Sequence, residues 1–148
     1  MSTHSQKAES LFREGYNCAQ AVLLAFSDLT GLDDEDAARL SSSFGGGIGR
    51  MREVCGAVSG ACMVLGILKG YSSPADSAAK TKHYQLIQEF ANRFREENGS
   101  IICRELLAGV NVQSGGAPEA RSEAYYKKRP CPELVSCAAE ILDEMLGK

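Results

Sequence analysis

The stretch Phe44 to Gly70, FGGGIGRMREVCGAVSGACMVLGILKG, opens on a glycine run and closes in a long apolar segment. From about Arg52 to Lys69 the apolar residues do not alternate, and the segment is too long for an ordinary strand. Val54, Val58, Ala61, Leu65 and Leu68 fall at helical i, i+3/i+4 spacing, while Ala57, Met63, Val64 and Ile67 fill the other faces. A helix apolar nearly all round belongs in the middle of a domain. Gly56 and Gly60 stand one turn apart, as do Gly66 and Gly70. A glycine inside a helix costs about 1 kcal/mol against alanine. Close approach of a neighbouring backbone, or of a cofactor, is the reason to expect. Cys55 falls in the first turn or so of this helix.

The remaining chain fits around that helix as one domain. A length of 148 residues suits a single core, residues 1–148. A formal charge of −3 favours neither nucleic acid nor an anionic membrane as partner. Glycines and flanking charges in Phe44–Gly70 argue against a membrane span. The segment MSTHSQKAESLFREGYN lacks the apolar core of a secretory signal, so a cytoplasmic protein is expected. Six cysteines is many for such a chain: Cys18, Cys55, Cys62, Cys103, Cys131 and Cys137. In a cytoplasmic protein they point to metal or redox chemistry before disulfide staples. No CxxC is present, which removes support for thioredoxin-like chemistry and for a zinc ribbon.

Local signals divide the chain into helices. A short helix is expected from about His4 to Glu14, stopped by Gly15. Asn17 caps a second, NCAQAVLLAFSDL, with Cys18 first and Gly31 at its end. Asp33 or Asp34 starts a third, DDEDAARLSSSF, with acids in the first turn. Ser72, Ser73 and Pro74 signal a long amphipathic helix to about Glu97. Its stripe is Ala79, His83, Leu86, Phe90 and Phe94. Ser100 caps SIICRELLAG, with Cys103 in its third position. Gly109 to Pro118 reads as a loop and PEARSEAYYKK as a short helix. The last helix is CPELVSCAAEILDEML, with Pro132 at N1. No strand and no internal repeat is found, so the expected fold is all-α, a compact multi-helix bundle around a buried central helix at about residues 52–69.

Four of the six cysteines, Cys18, Cys55, Cys103 and Cys131, fall at or near helix starts. The dipole and free N–H groups there favour thiolate over thiol. Arg50, Arg52, Arg104, Lys127, Lys128 and Arg129 push the same way if they point inward. Thiolate is the species that ligates metal or attacks a disulfide. The plain alternative is four unrelated buried thiols. Cys62 and Cys137 lie inside helices and read as buried small hydrophobes, although Cys62 follows Cys55 by two turns on a similar face.

These residues carry a resemblance. Gly15-Tyr16-Asn17-Cys18-Ala19-Gln20-Ala21-Val22, then Gly45-Gly46-Gly47-Ile48-Gly49 with Cys55-Gly56-Ala57-Val58-Ser59-Gly60, resemble the C_GCAxxG_C_C family of redox-active proteins. Cys103-Arg104-Glu105-Leu106-Leu107 and Cys131-Pro132-Glu133-Leu134-Val135 continue the match, which spans about Ala8 to Leu146. The family name spells Gly-Cys-Ala where this chain has Cys55-Gly56-Ala57. The fourth family cysteine is matched to Cys131 through its helix-start position. The resemblance implies a small bacterial or archaeal redox or metal protein. The cysteine-rich region is also similar to part of certain multihaem-associated electron-transfer proteins that carry an iron–sulfur centre. No CxxCH occurs, so no c-type haem is expected.

Other constellations weigh less. GGGIG lacks both the G-x-G-x-x-G spacing and a Gly-Lys-Ser/Thr, so no nucleotide is expected. Its N–H groups suit an anion nest or a cluster's sulfurs, which makes Gly46, Gly47 and Gly49 candidate cofactor-binding residues. A hinge or close-packing loop is the competing reading. His4 and His83 are the only histidines, and His83 reads as a core or boundary residue. Tyr125, Tyr126, Lys127, Lys128 and Arg129 read as a solvated face or subunit contact. Ser41, Ser42 and Ser43 have no nucleophile-elbow context.

The leading functional expectation is a redox-active centre in which Cys18, Cys55, Cys103 and Cys131 bind an iron–sulfur cluster or Zn for electron transfer. A dithiol–disulfide oxidoreductase using the same cysteines is the second expectation. A non-enzymatic helical interaction module with buried cysteines is the third. A redox partner protein is implied, and a homodimer suits so small a helical domain.

Overall fold

A computed structural model describes residues 1–148 as nine α-helices and one 3-10 turn, with no strand. They are α1 (Thr3–Arg13), α2 (Cys18–Ala25), α3 (Ser27–Thr30), α4 (Asp34–Ser41), the 3-10 turn (Ser42–Phe44), α5 (Gly56–Lys69), α6 (Ser77–Asn98), α7 (Cys103–Leu106), α8 (Glu123–Lys128) and α9 (Cys131–Leu146). The all-α expectation is met. A single β-bridge, Val54 to Ile102, stands alone.

Local caps set most boundaries. The Asn17 side chain accepts from Gln20 N–H, while Gln20 returns to Asn17 N–H, a closed capping box at α2. The Asp33 carboxylate accepts from two N–H groups of α4. Gly31 ends α3 at φ 70°, a left-handed stop that glycine adopts without strain.

The core is one continuous cluster that runs from Ala8 on α1 to Leu142 on α9. Phe12, Phe26, Phe90 and Phe94 are fully buried within it. α2 is buried at seven of its eight residues and lies between α1 and α5, with α9 alongside. Gly56 and Gly60 let α5 approach α2. A Cβ at residue 60 would sit 2.6 Å from the Ala19 carbonyl oxygen, and one at 56 would sit 3.0 Å from Cys18 Cβ. Gly66 has open space, so its helical cost has no packing return.

Six boundaries differ from those expected. α5 begins at Gly56 rather than Arg52, because Arg52 adopts φ 61° and Val54 bridges to Ile102. Only its first three turns are central; Ile67 near its end is 50% exposed. The second expected helix divides at Phe26 into α2 and α3. α6 starts at Ser77, where Asp76 accepts from Ala79 N–H, and Pro74 lies in the preceding turn. The Ser100 hydroxyl accepts from Ile102 N–H and donates to Glu105, so α7 begins only at Cys103. α8 is capped by Ser122, and Pro132 is the second residue of α9. No helix is long and apolar enough to cross a membrane.

The two glycines predict opposite responses to alanine. Gly60→Ala is expected to lower stability by about 1–3 kcal/mol through overpacking against backbone that has to shift. Gly66→Ala should raise it by up to about 1 kcal/mol through helix propensity. Urea unfolding midpoints measure both.

Candidate functional site

The helix starts converge on one cavity of about 340 Å³. Cys18, Cys55, Cys103 and Cys131 all line it. Cys18 is the first residue of α2, Cys55 the N-cap of α5, Cys103 the first residue of α7, and Cys131 the first residue of α9. All four are buried. Cys62 and Cys137 lie outside the cavity and are half-buried. The similar-face argument therefore does not bring Cys62 to the site. Cys137 instead bonds to Glu97 at 3.0 Å and receives the Asn98 amide at 3.4 Å.

Backbone pairing fixes the sulfurs' neighbourhood. Gly56 holds Cys55 beside Cys18 through the α2–α5 contact. Cys55 N–H donates to Ile101 O at 2.8 Å, Cys103 N–H to Glu53 O, and Arg104 N–H to Arg52 O. Those bonds run antiparallel and join segment 52–55 to segment 101–104. α9 packs along α1 and meets α2 and α5, which brings Cys131 to the same end.

The glycine run forms the cavity's other wall. Gly46, Gly47, Ile48, Gly49 and Arg50 all have φ between 52° and 67°. A left-handed conformation is strained for a β-branched residue such as Ile48. Arg50, Arg52 and Glu53 N–H groups close the turn onto Gly45, Gly46 and Gly47 carbonyls. Gly45, Gly46, Gly47 and Gly49 line the cavity. A Cβ at residue 47 would sit 2.7 Å from Cys103 Cβ and 2.6 Å from Glu53 N, so Gly47 is a close-packing position.

The cavity is rich in arginine. Arg50, Arg52, Arg121 and Arg129 line it, with Glu119 as the carboxylate among them. Arg52 donates to Gln113 O at 3.0 Å and lies 3.8 Å from Cys103 Sγ. Arg129 pairs with Glu119 and stacks over Tyr125 at 4.4 Å. Arg121 bonds to the Phe12 and Tyr16 carbonyls and sits over the Phe12 ring. Gly115 N–H and the Ser114 hydroxyl both donate to Arg50 O, tying the loop after α7 to the glycine turn. Of the expected cations, Arg104 instead pairs with Glu53 at 2.8 Å on the surface, and Lys127 and Lys128 are exposed. The aromatic-basic run divides: Tyr125 and Arg129 belong to the cavity, correcting their reading as solvated face. Arg121 and Glu119 as site residues carry no local sequence signal.

The four sulfurs act on one another electrostatically. A hydrogen bond from the Cys18 thiol to the Cys131 sulfur, then burial and the charges of the other three cysteines, push Cys18 well up. Burial pushes Cys55 up to about 12, against N–H groups of Ala57 and Val58 that favour its thiolate. Burial also raises Cys103, with Arg52 opposing. Cys131 alone is lowered: it accepts from Cys18, burial opposes, and Arg129, Arg121 and Arg52 help. The N-terminal thiolate argument thus holds for Cys131 and fails for the other three, where desolvation or the acceptor role of Cys131 outweighs the helix end. As the side chains stand, no three His, Cys, Asp or Glu residues are placed to hold a metal ion.

The sequence model of one family, described as "Putative redox-active protein (C_GCAxxG_C_C)", matches residues 16–145. Neither a curated protein nor a solved structure matches the chain.

Differential alkylation tests the electrostatics. In reduced, metal-free protein near neutral pH, Cys131 should react with iodoacetamide well before Cys55, as read by peptide mass spectrometry. Raising the pH toward 9 and beyond should destabilise the fold. Cys55 ionises in the unfolded chain near its ordinary value but resists ionisation up to about 12 when folded, so stability present below that ordinary value is lost across the interval. Cys55→Ala should flatten that part of the stability profile.

Proposed function

The chain belongs to the C_GCAxxG_C_C family of redox-active proteins, and from that premise we propose that Cys18, Cys55, Cys103 and Cys131 hold an iron–sulfur centre for electron transfer. The observation that carries this reading is the meeting of four chain-distant cysteines on one cavity wall. Four soft thiolates are the donor set of such a centre, which supplies one-electron redox chemistry when bound. The residues' own part is to gather, shield and charge-balance the ligands. Burial keeps water from the sulfurs. The neighbouring sulfurs discourage one another's ionisation at Cys18, and a bound cationic centre offsets that repulsion. Arg52 stands near Cys103, and Gly46, Gly47 and Gly49 bring backbone rather than side chains to the wall.

A second reading has its own observation: Cys18 and Cys131, each the first residue of its helix, line the same cavity, and Cys18 favours a charged Cys131. In it, the Cys131 thiolate attacks a partner's disulfide and forms a mixed disulfide, releasing one partner thiolate. Cys18 passes its proton to the partner thiolate already released, then displaces the second partner thiolate and closes Cys18–Cys131. The partner gains two electrons and the chain gives up two.

Purification without oxygen separates the readings. The expected protein is coloured and contains iron and acid-labile sulfide. Serine at Cys18, Cys55, Cys103 or Cys131 should bleach it, while Cys62→Ser and Cys137→Ser keep the colour. A colourless, metal-free protein whose thiol titre drops by two on mild oxidation would replace the first reading with the second. A titre unchanged by oxidants would remove both, and serine variants would then alter stability alone.

A further inference from the structure

The cavity holds more positive charge than its carboxylate answers. Four guanidiniums, Arg50, Arg52, Arg121 and Arg129, face the single Glu119. Arg129 takes that carboxylate, and Arg50 lies 4.0 Å from the same oxygen. Arg121 is spent on two carbonyls and three aromatic faces. Arg52 is only 6% exposed and has no carboxylate partner. Its contacts are a neutral carbonyl, Gln113 O, and the Cys103 sulfur at 3.8 Å, a weak acceptor. A buried guanidinium without a paired carboxylate is costly.

A second feature of the same wall points the same way. The N–H groups of Gly45, Gly46 and Gly47 donate to no carbonyl. All three residues line the cavity and carry no side chain of their own, with the Asn17 side chain packed against Gly45 and Cys103 against Gly47. Gly45 is extended at φ −69° while Gly46 and Gly47 are left-handed, and successive free N–H groups in such a turn form a concavity suited to an anion. Arg50 and Arg52 belong to the turn that continues from these glycines, so backbone donors and guanidiniums border one space.

We infer that this wall binds a small oxyanion, of the sulfate or phosphate type, against Arg52, Arg50 and the Gly45–Gly47 N–H groups, next to Cys103. Planar guanidinium forks and backbone N–H groups are the donors that match such oxygens. An anion there has the cysteines as its immediate neighbours. The ligand site does not require a metal to be present, so it stands apart from the electron-transfer reading.

Calorimetric titration with sulfate and with phosphate, in chloride-free buffer of low ionic strength, tests it. The protein is used both reduced and metal-free and as purified without oxygen. Saturable binding is expected in both forms, weakened about tenfold or more by Arg52→Gln and unchanged by Lys127→Gln, which alters an exposed cation outside the cavity. If Arg52→Gln does not fold, the unmodified protein still decides: either anion should slow iodoacetamide modification of Cys131. No binding and no protection up to about 10 mM anion, equal affinity in Arg52→Gln, or equal loss in Lys127→Gln would overturn the inference. So would binding confined to metal-free protein, because the arginines would then be counter-charge to the centre. Anion binding by protein that never takes up iron would leave this site standing while the iron–sulfur reading falls. Iron uptake without anion binding would do the reverse.

Discussion

The Ala19 carbonyl lies so close to α5 that residue 60 has no room for a Cβ, and the same contact at residue 56 presses against Cys18. That approach governs the arrangement of the site. α2 and α5 meet at their N-terminal ends, so Cys18 and Cys55 are set beside each other by backbone contact rather than by flexible side chains. The spacing Cys55-Gly56-Ala57-Val58-Ser59-Gly60 acquires a physical meaning: the cysteine caps the helix, and the two glycines dock it. Once segment 52–55 is fixed, its pairing with segment 101–104 carries Cys103 to the same place. α9 supplies Cys131 by packing along α1 and α2. Three independent packing constraints therefore deliver four sulfurs to one space.

Gathering ionisable sulfurs in a buried space creates an electrostatic problem that the surroundings divide unequally. Burial opposes thiolates at every position, and neighbouring sulfurs add to it. The arginines oppose burial but do not act evenly. Arg129, Arg121 and Arg52 all favour a charged Cys131, and Cys18 completes the asymmetry by donating to it. The resting arrangement is one thiolate-prone sulfur among three thiols. Such a cluster is poised to accept a positive group or to react at one atom, and both functional readings draw on that inequality.

The starts of α2 and α4 and the stop at Gly31 were legible because their signals are local. Asn17, Asp33 and Gly31 act within a few residues of themselves, and each appears where its chemistry demands. The cysteine positions followed from those starts to within a turn. Boundaries set by distant partners were not legible. The start of α5 depends on Ile102, nearly fifty residues away in the chain, through the bridge to Val54. The charged wall was half legible: Arg50 and Arg52 adjoin Cys55 in sequence, whereas Arg121 enters by reaching the α1 carbonyls of another segment. His4 shows the same limit. It stacks on Phe26 and bonds to Asp28 and Asp143, a set no spacing rule joins.

The glycine turn explains why strain is tolerated at Ile48 and Arg50. Left-handed conformation costs roughly 1–2 kcal/mol per non-glycine residue, and a loop that merely connected α4 to α5 would have no use for it. Here the turn has to do three things at once. It must let Gly47 abut Cys103, bring Arg50 and Arg52 to the cavity lining, and turn the chain into the antiparallel pairing at Glu53. A right-handed path would extend the 3-10 turn that precedes it into a helix and carry the arginines around its face. The left-handed path instead keeps both arginines and the glycines on the cavity lining. The strain is thus tied to the composition of the cavity wall, and the loop after α7, clasped to Arg50 O by Gly115 and Ser114, holds it in place.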